Sequence, residues 1–129
     1  MTKEEHINYW IQTSHDDYEV FKILLLNRNY SHALFIAHLC LEKLIKAHWV
    51  KDNDSNVPPK VHNLVYLVKQ TKLFMTDEHN NFLAVFNDFQ IQGRYPDYKF
   101  RIKQLLSEAF VNQIVKQFDE VRSCMLKIT

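Results

Sequence analysis

Residues Ser31 to Val50 read SHALFIAHLCLEKLIKAHWV. From Ala33 to Leu41 only His38 interrupts an apolar run, and charge enters from Glu42 onward without any Gly or Pro. A strand is a competing reading for a short apolar run. Twenty residues made mostly of good helix formers favour a helix. The run is too short and too soon charged for a membrane span, which takes about 20 apolar residues. A helix that is apolar all round has to be covered all round. The expectation is therefore a buried central helix whose first half is enclosed by partners on every side.

The remainder of the chain has to supply that cover. At 129 residues it is long enough for one domain, residues 1–129, with a core that needs no metal or disulfide to staple it. One Gly and three Pro leave little turn material, which points to a few long helices. Lys and Arg total 16 against 15 Asp and Glu, so any nucleic-acid contact has to come from a local patch and not from a strongly basic surface. Cys40 and Cys124 lack metal or redox spacing and are expected as reduced core thiols. The opening MTKEEHINYW lacks the apolar core and small-residue cleavage site of a signal peptide. Together these features lead to an expected cytoplasmic location.

Upstream of the central helix, Ile7, Trp10, Ile11, Ser14, Tyr18, Phe21, Leu24 and Leu25 recur at helical spacing, predicting a helix over residues 4–27. The brief connection through Asn27 to Tyr30 requires the two helices to run antiparallel, with Ser31 as the expected cap of the second. Downstream, KDNDSNVPPK over residues 51–60 is a polar loop closed by two prolines. A short helix is expected over about residues 62–71. Thr76, Asp77 and Glu78 then open a fourth helix with Phe82, Val85, Phe86 and Phe89 on its core face. After Gly93, the stripe Ile102, Leu105, Leu106, Ala109, Phe110, Ile114, Phe118, Val121 and Met125 predicts a long last helix. The expected fold is all-α, an up-and-down bundle of four long helices and one short one.

Seven histidines raise the question of a metal. His38 and Glu42 lie four apart on one helix face, but a di-metal bundle site draws carboxylates and imidazoles from several facing helices. The other stripes here are Phe and Leu. The expected arrangement is that His38 hydrogen-bonds a neighbour and that Glu42 pairs with Lys46, with no resident metal or cofactor. No Gly-flanked serine or phosphate-cradling glycine loop is present, and neither thiol has a reason to be activated. The cluster that stands out is Arg94, Tyr95, Pro96, Asp97, Tyr98, Lys99 and Arg101. Arg forks onto phosphate, and Tyr stacks on a base or hydrogen-bonds through its hydroxyl. The same residues can equally serve the turn, with Pro96 stiffening it and Arg94 pairing with Asp97 or Glu42.

Several of these stretches together resemble the HEPN domain family. Trp10 and Asp17 fit its first helix, and Asn29-Tyr30-Ser31-His32-Ala33 its entry to the second. Glu42-Lys43-Leu44-Ile45-Lys46-Ala47 looks like the family's EK-x-x-KA stretch. Pro59-Lys60-Val61-His62-Asn63-Leu64 is similar to its P-x-T-H-x-L segment, with Val61 in place of Thr. Arg94-Tyr95-Pro96-Asp97 matches the RYPD turn of the prokaryotic stand-alone branch. The resemblance implies a helical homodimer, often paired with a minimal nucleotidyltransferase in a toxin–antitoxin-like couple. Ribonuclease members use an Arg followed, after four to six residues, by His. Here Lys99, Phe100 and Arg101 hold those positions after Arg94, and no histidine follows His79.

The leading expectation is a non-catalytic protein that binds a nucleotide or an RNA phosphate through Arg94, Tyr95 and Asp97, beside Glu42, Lys43, Lys46 and His38 of the central helix. No residue is assigned a catalytic role. Two alternatives stand beside it: a metal-independent endoribonuclease toxin that borrows its base from a histidine such as His38 or His62, and a purely structural interaction bundle.

Overall fold

Of the five α-helices among the described residues, four start where a short polar side chain takes up a backbone N–H that the helix itself cannot satisfy. Thr2 accepts from Glu5 N in α1 (Lys3–Leu26), and Asn63 accepts from Tyr66 N in α3 (Leu64–Lys69). Thr76 accepts from His79 N in α4 (Asp77–Phe86), and Ser107 accepts from Phe110 N in α5 (Glu108–Met125). The central helix, α2 (Tyr30–Asp52), is the exception: Asn29 occupies its cap position without a side-chain bond to the backbone. The Asn29 Oδ1 is instead 2.9 Å from Nδ1 of His32. Ser31, expected as the cap, lies inside the first turn of α2 and is buried. A 3-10 segment, Asn87–Ile91, follows α4 directly. These elements come from a computed structural model that describes residues 1–91 and 106–128. Among the described residues there is no strand.

The reversal between α1 and α2 is a Schellman turn. Asn29 N donates to Leu24 O at 2.9 Å and Arg28 N to Leu25 O at 3.0 Å, with Arg28 at φ 59° in the left-handed region. The helices then run antiparallel. The Lys3 ammonium caps the far end of α2, donating to Val50 O at 2.6 Å and Asn53 O at 2.7 Å. Midway, Ser14 Oγ donates to Cys40 O at 2.9 Å, so the one hydroxyl in the buried stripe of α1 is satisfied by the neighbouring backbone.

The central position of α2 is as expected, but its burial is distributed differently. Phe35, Ile36 and Leu39 in the first half are only partly buried, whereas every residue from Leu44 to Val50 is buried. The second half is enclosed because polar groups find partners there. His48 Nε2 donates to Met125 O at 2.6 Å, which satisfies a carbonyl at the end of α5, and Trp49 Nε1 donates to Gln70 Oε1 at 2.7 Å.

Against α2 the other helices set an aromatic core. Phe21 meets Phe118 edge-on at 5.0 Å, Phe82 stacks on Phe86 at 4.9 Å, and Phe86 reaches Phe118 at 6.0 Å. Val85, expected in this face, is 59% exposed, and Leu83 is fully buried in its place. In α5 the buried positions are Val111, Ile114, Phe118, Val121 and Met125. Ala109 and Phe110 face outward, because a helix beginning at Glu108 presents Val111 as its first inward position. Of the expected stripe, Ile102 and Leu105 lie outside the described residues, and Leu106 packs partly buried against the core. Cys40 is buried and Cys124 half-buried, and both are free thiols.

Candidate functional site

His38, Glu42 and Lys46 recur every fourth residue and therefore lie along one face of α2. Glu42 is the hub of that face. Its Oε2 accepts from the Lys46 ammonium at 3.1 Å, and its Oε1 accepts from His62 Nδ1 at 2.9 Å. The Glu42 and Lys46 side chains are 6% and 8% exposed, whereas that of His62 is 43% exposed. The Lys46 ammonium also sits 5.5 Å from the centre of the Trp10 ring, so α1 contributes a π-face to the buried cation.

A carboxylate can only accept, so the Nδ1 that faces Glu42 carries the ring proton of His62. The second ring nitrogen, Nε2, is then an acceptor when the ring is neutral and a donor when it is charged. A carboxylate-held, half-exposed imidazole can take a proton from a hydroxyl or donate one to a phosphate oxygen.

His38 has the opposite character. It is fully buried, and burial pushes its pKa from 6.5 down to about 4, with the neighbouring Glu42 and Asn87 working against that shift. At neutral pH it is an uncharged ring, with Nε2 at a long 3.5 Å from Asn87 Oδ1 and Nδ1 without a partner among the described residues. His38 thus belongs to the framework behind the site. Lys43 points elsewhere on α2 and pairs with Asp17 of α1 at 2.7 Å.

The structure accordingly brings together Glu42, Lys46, His38 and His62, and gives Lys43 a separate partner. Arg94, Tyr95 and Asp97 lie outside the described residues. Sequence reasoning named His62 as a possible base but not as a ligand of Glu42, because the two are twenty residues apart across a loop. The sequence does not point to Asn63 and Asn87 as parts of the site. The only available signal was the H-x-L stretch of which Asn63 is the middle residue; nothing in the sequence around Asn87 sets it apart. No group of three or more His, Cys, Asp or Glu among the described residues is placed to hold a metal ion. Among them, too, no helix is long and apolar enough to cross a membrane.

The two larger hollows among the described residues lie away from this cluster. One of about 450 Å³ between α4 and α5 is lined largely by aromatic and aliphatic residues such as Phe82, Val85, Phe110 and Ile114. The other, about 480 Å³, follows the α1–α2 turn past Arg28, Tyr30 and His32. Neither brings a buried acid and base together.

Compared with known proteins, the chain matches the family model described as the HEPN domain over residues 7–128. No curated protein and no solved structure matches it.

Proposed function

The chain belongs to the HEPN domain family, and on that premise we propose that it is a non-catalytic member that binds the phosphate of a nucleotide or of RNA. The observation that carries this reading is the division of Glu42: one oxygen neutralises the buried Lys46, and the other holds the half-exposed His62. The charges needed for folding are thus balanced inside, while one oriented imidazole remains at the surface to meet a ligand. In this reading Arg94 supplies a guanidinium fork for the phosphate and Tyr95 a ring for stacking, with Asp97 as the third residue of the set.

The protein acts as a cytoplasmic homodimer and as the partner of a minimal nucleotidyltransferase in a toxin–antitoxin-like pair. The half-buried Phe35, Ile36 and Leu39 on α2 support a second copy as cover for that helix. The test is equilibrium binding of ATP, GTP and a short RNA to wild type, Arg94→Ala and His62→Ala. Weakened binding in both variants is expected, and unchanged affinity removes the site. Light scattering that gives a monomer at micromolar concentration removes the dimer. Failure of a co-expressed minimal nucleotidyltransferase to co-purify removes the partner.

One observation favours a second reading, the metal-independent endoribonuclease. A carboxylate that fixes an imidazole is the arrangement of a general base, which here would take the 2′-hydroxyl proton while Arg94 stabilises the phosphorane-like charge. It predicts RNA cleavage that is lost in both His62→Ala and Arg94→Ala. Intact structured and unstructured RNA after incubation with pure protein rejects it.

A further inference from the structure

His62 lies in the loop that leads into α3. Helix α3, which follows it, is only six residues long, far below the length at which a helix persists by itself. Its start therefore depends on what takes up its first N–H groups. Two asparagines do so. Asn63 Oδ1 accepts from Tyr66 N at 3.1 Å, and Asn87, from the beginning of the 3-10 segment, accepts from Leu64 N at 2.8 Å. The Asn87 Nδ2 then donates to Asn63 Oδ1 at 3.0 Å, which ties the two caps together. Both backbone donors require an oxygen opposite them, so the orientation of each amide is determined by its partners.

The same Asn87 oxygen faces inward to His38 Nε2, at 3.5 Å. One side chain thus links three elements: α2 through His38, the entry to α3 through Asn63 and Leu64, and the end of α4 through its own backbone. His62 immediately precedes the residues that Asn87 holds. On the other side its ring reaches Glu42, four residues along α2 from His38. The imidazole is stretched between these two fixed points.

We propose that Asn87 is the positioning residue of the site: by clamping Asn63 and Leu64 it aims His62 Nδ1 at Glu42 and so selects the tautomer that presents Nε2 outward. This role rests on the reading of the Glu42–His62 pair as the ligand-facing element. It assigns a function to a residue that makes no hydrogen bond to Glu42 or to the His62 ring, and whose loss acts through that ring.

The test reads the ring directly. In ¹⁵N spectra of the imidazole at a pH where His62 is neutral, wild type shows the Nδ1–H form. In Asn87→Ala that form is lost in favour of a mixture containing Nε2–H. Asn87→Asp keeps an oxygen for Leu64 N and recovers part of the Nδ1–H population. An Asn87→Ala protein with wild-type helicity and an unchanged Nδ1–H form overturns the proposal. If Asn87→Ala does not retain wild-type helicity, Asn63→Ala takes its place, because it removes the surface partner of the clamp without opening the core. The same loss is expected there, and an unchanged tautomer again overturns the proposal. Absence of ATP, GTP and RNA binding by wild-type protein that carries the Nδ1–H form removes the proposed function and leaves the positioning role standing. Binding that persists beside an unchanged tautomer in the variants does the reverse.

Discussion

Replacing Glu42 by Gln tests whether the middle of α2 is held by charge. The Lys46 ammonium is 8% exposed and lies 3.1 Å from the Glu42 carboxylate. At an effective dielectric of about 20, a pair at that separation attracts by roughly 5 kcal/mol. The glutamine retains a carbonyl oxygen that can accept one hydrogen bond, which returns about 1–2 kcal/mol. The Trp10 face remains beneath the ammonium in both proteins and does not enter the difference. His62 also loses its acceptor, but with 43% exposure it turns to water at little cost. The expected loss is about 3 kcal/mol, in line with the cost of removing one partner of a buried ion pair. For a domain of 129 residues, this lowers the midpoint of thermal unfolding by roughly 10 °C. Urea and thermal unfolding followed by circular dichroism measure it. The double variant Glu42→Leu with Lys46→Met removes both charges and is expected within about 1 kcal/mol of wild type, since apolar replacement of a whole buried pair is close to neutral. A single variant that loses less than about 1 kcal/mol shows that charge does not hold this part of α2. So does a double variant whose loss equals the sum of those of Glu42→Leu and Lys46→Met measured singly, because no coupling then exists between the residues.

The pH dependence of stability follows from His38. Its folded pKa lies near 4 against 6.5 in the unfolded chain, so the unfolded chain takes up the proton first as the pH falls. The stabilisation is complete above 6.5 and is lost between 6.5 and about 4, a total of about 3 kcal/mol. Burial lowers His48 as well, which adds in the same direction. Unfolding free energies measured across that window should flatten in His38→Gln, and an unchanged slope contradicts the assignment. In α5, Phe118→Ala should cost about 3–5 kcal/mol and Phe110→Ala under about 1 kcal/mol, because the first ring is fully buried and the second is 40% exposed. Equal losses in urea unfolding contradict the observed facing of that helix. Arg28 holds a left-handed φ of 59° at the position of a Schellman turn that glycine fills without strain. Arg28→Gly should therefore raise stability by up to about 1 kcal/mol, and a loss in the same assay refutes the account of the turn.

Local chemistry made much of the fold legible. Helical periodicity and capping residues act within a few positions of themselves, so α1 and the Thr76 start of α4 follow from the sequence with little error. Where a neighbour decides, the sequence misleads. Ser31 has the chemistry of a cap, yet the Schellman turn ends the preceding helix early enough for α2 to begin at Tyr30, which draws Ser31 into the first turn. Val85 and Phe110 have the apolarity of core residues, yet the buried faces of α4 and α5 pass through Leu83 and Val111 instead.

The same division separates the two halves of the site. The pairing of Glu42 with Lys46 is a relation of four residues on one helix, and the sequence alone determined it, as it determined the all-helical class and the central place of α2. The bonds of His62 to Glu42 and of Asn87 to Leu64, Asn63 and His38 span twenty or more residues across loops that leave no periodic trace. These contacts arise from the packed fold, because a hydrogen bond between distant segments depends on where packing brings their backbones and not on the spacing of the residues that make it.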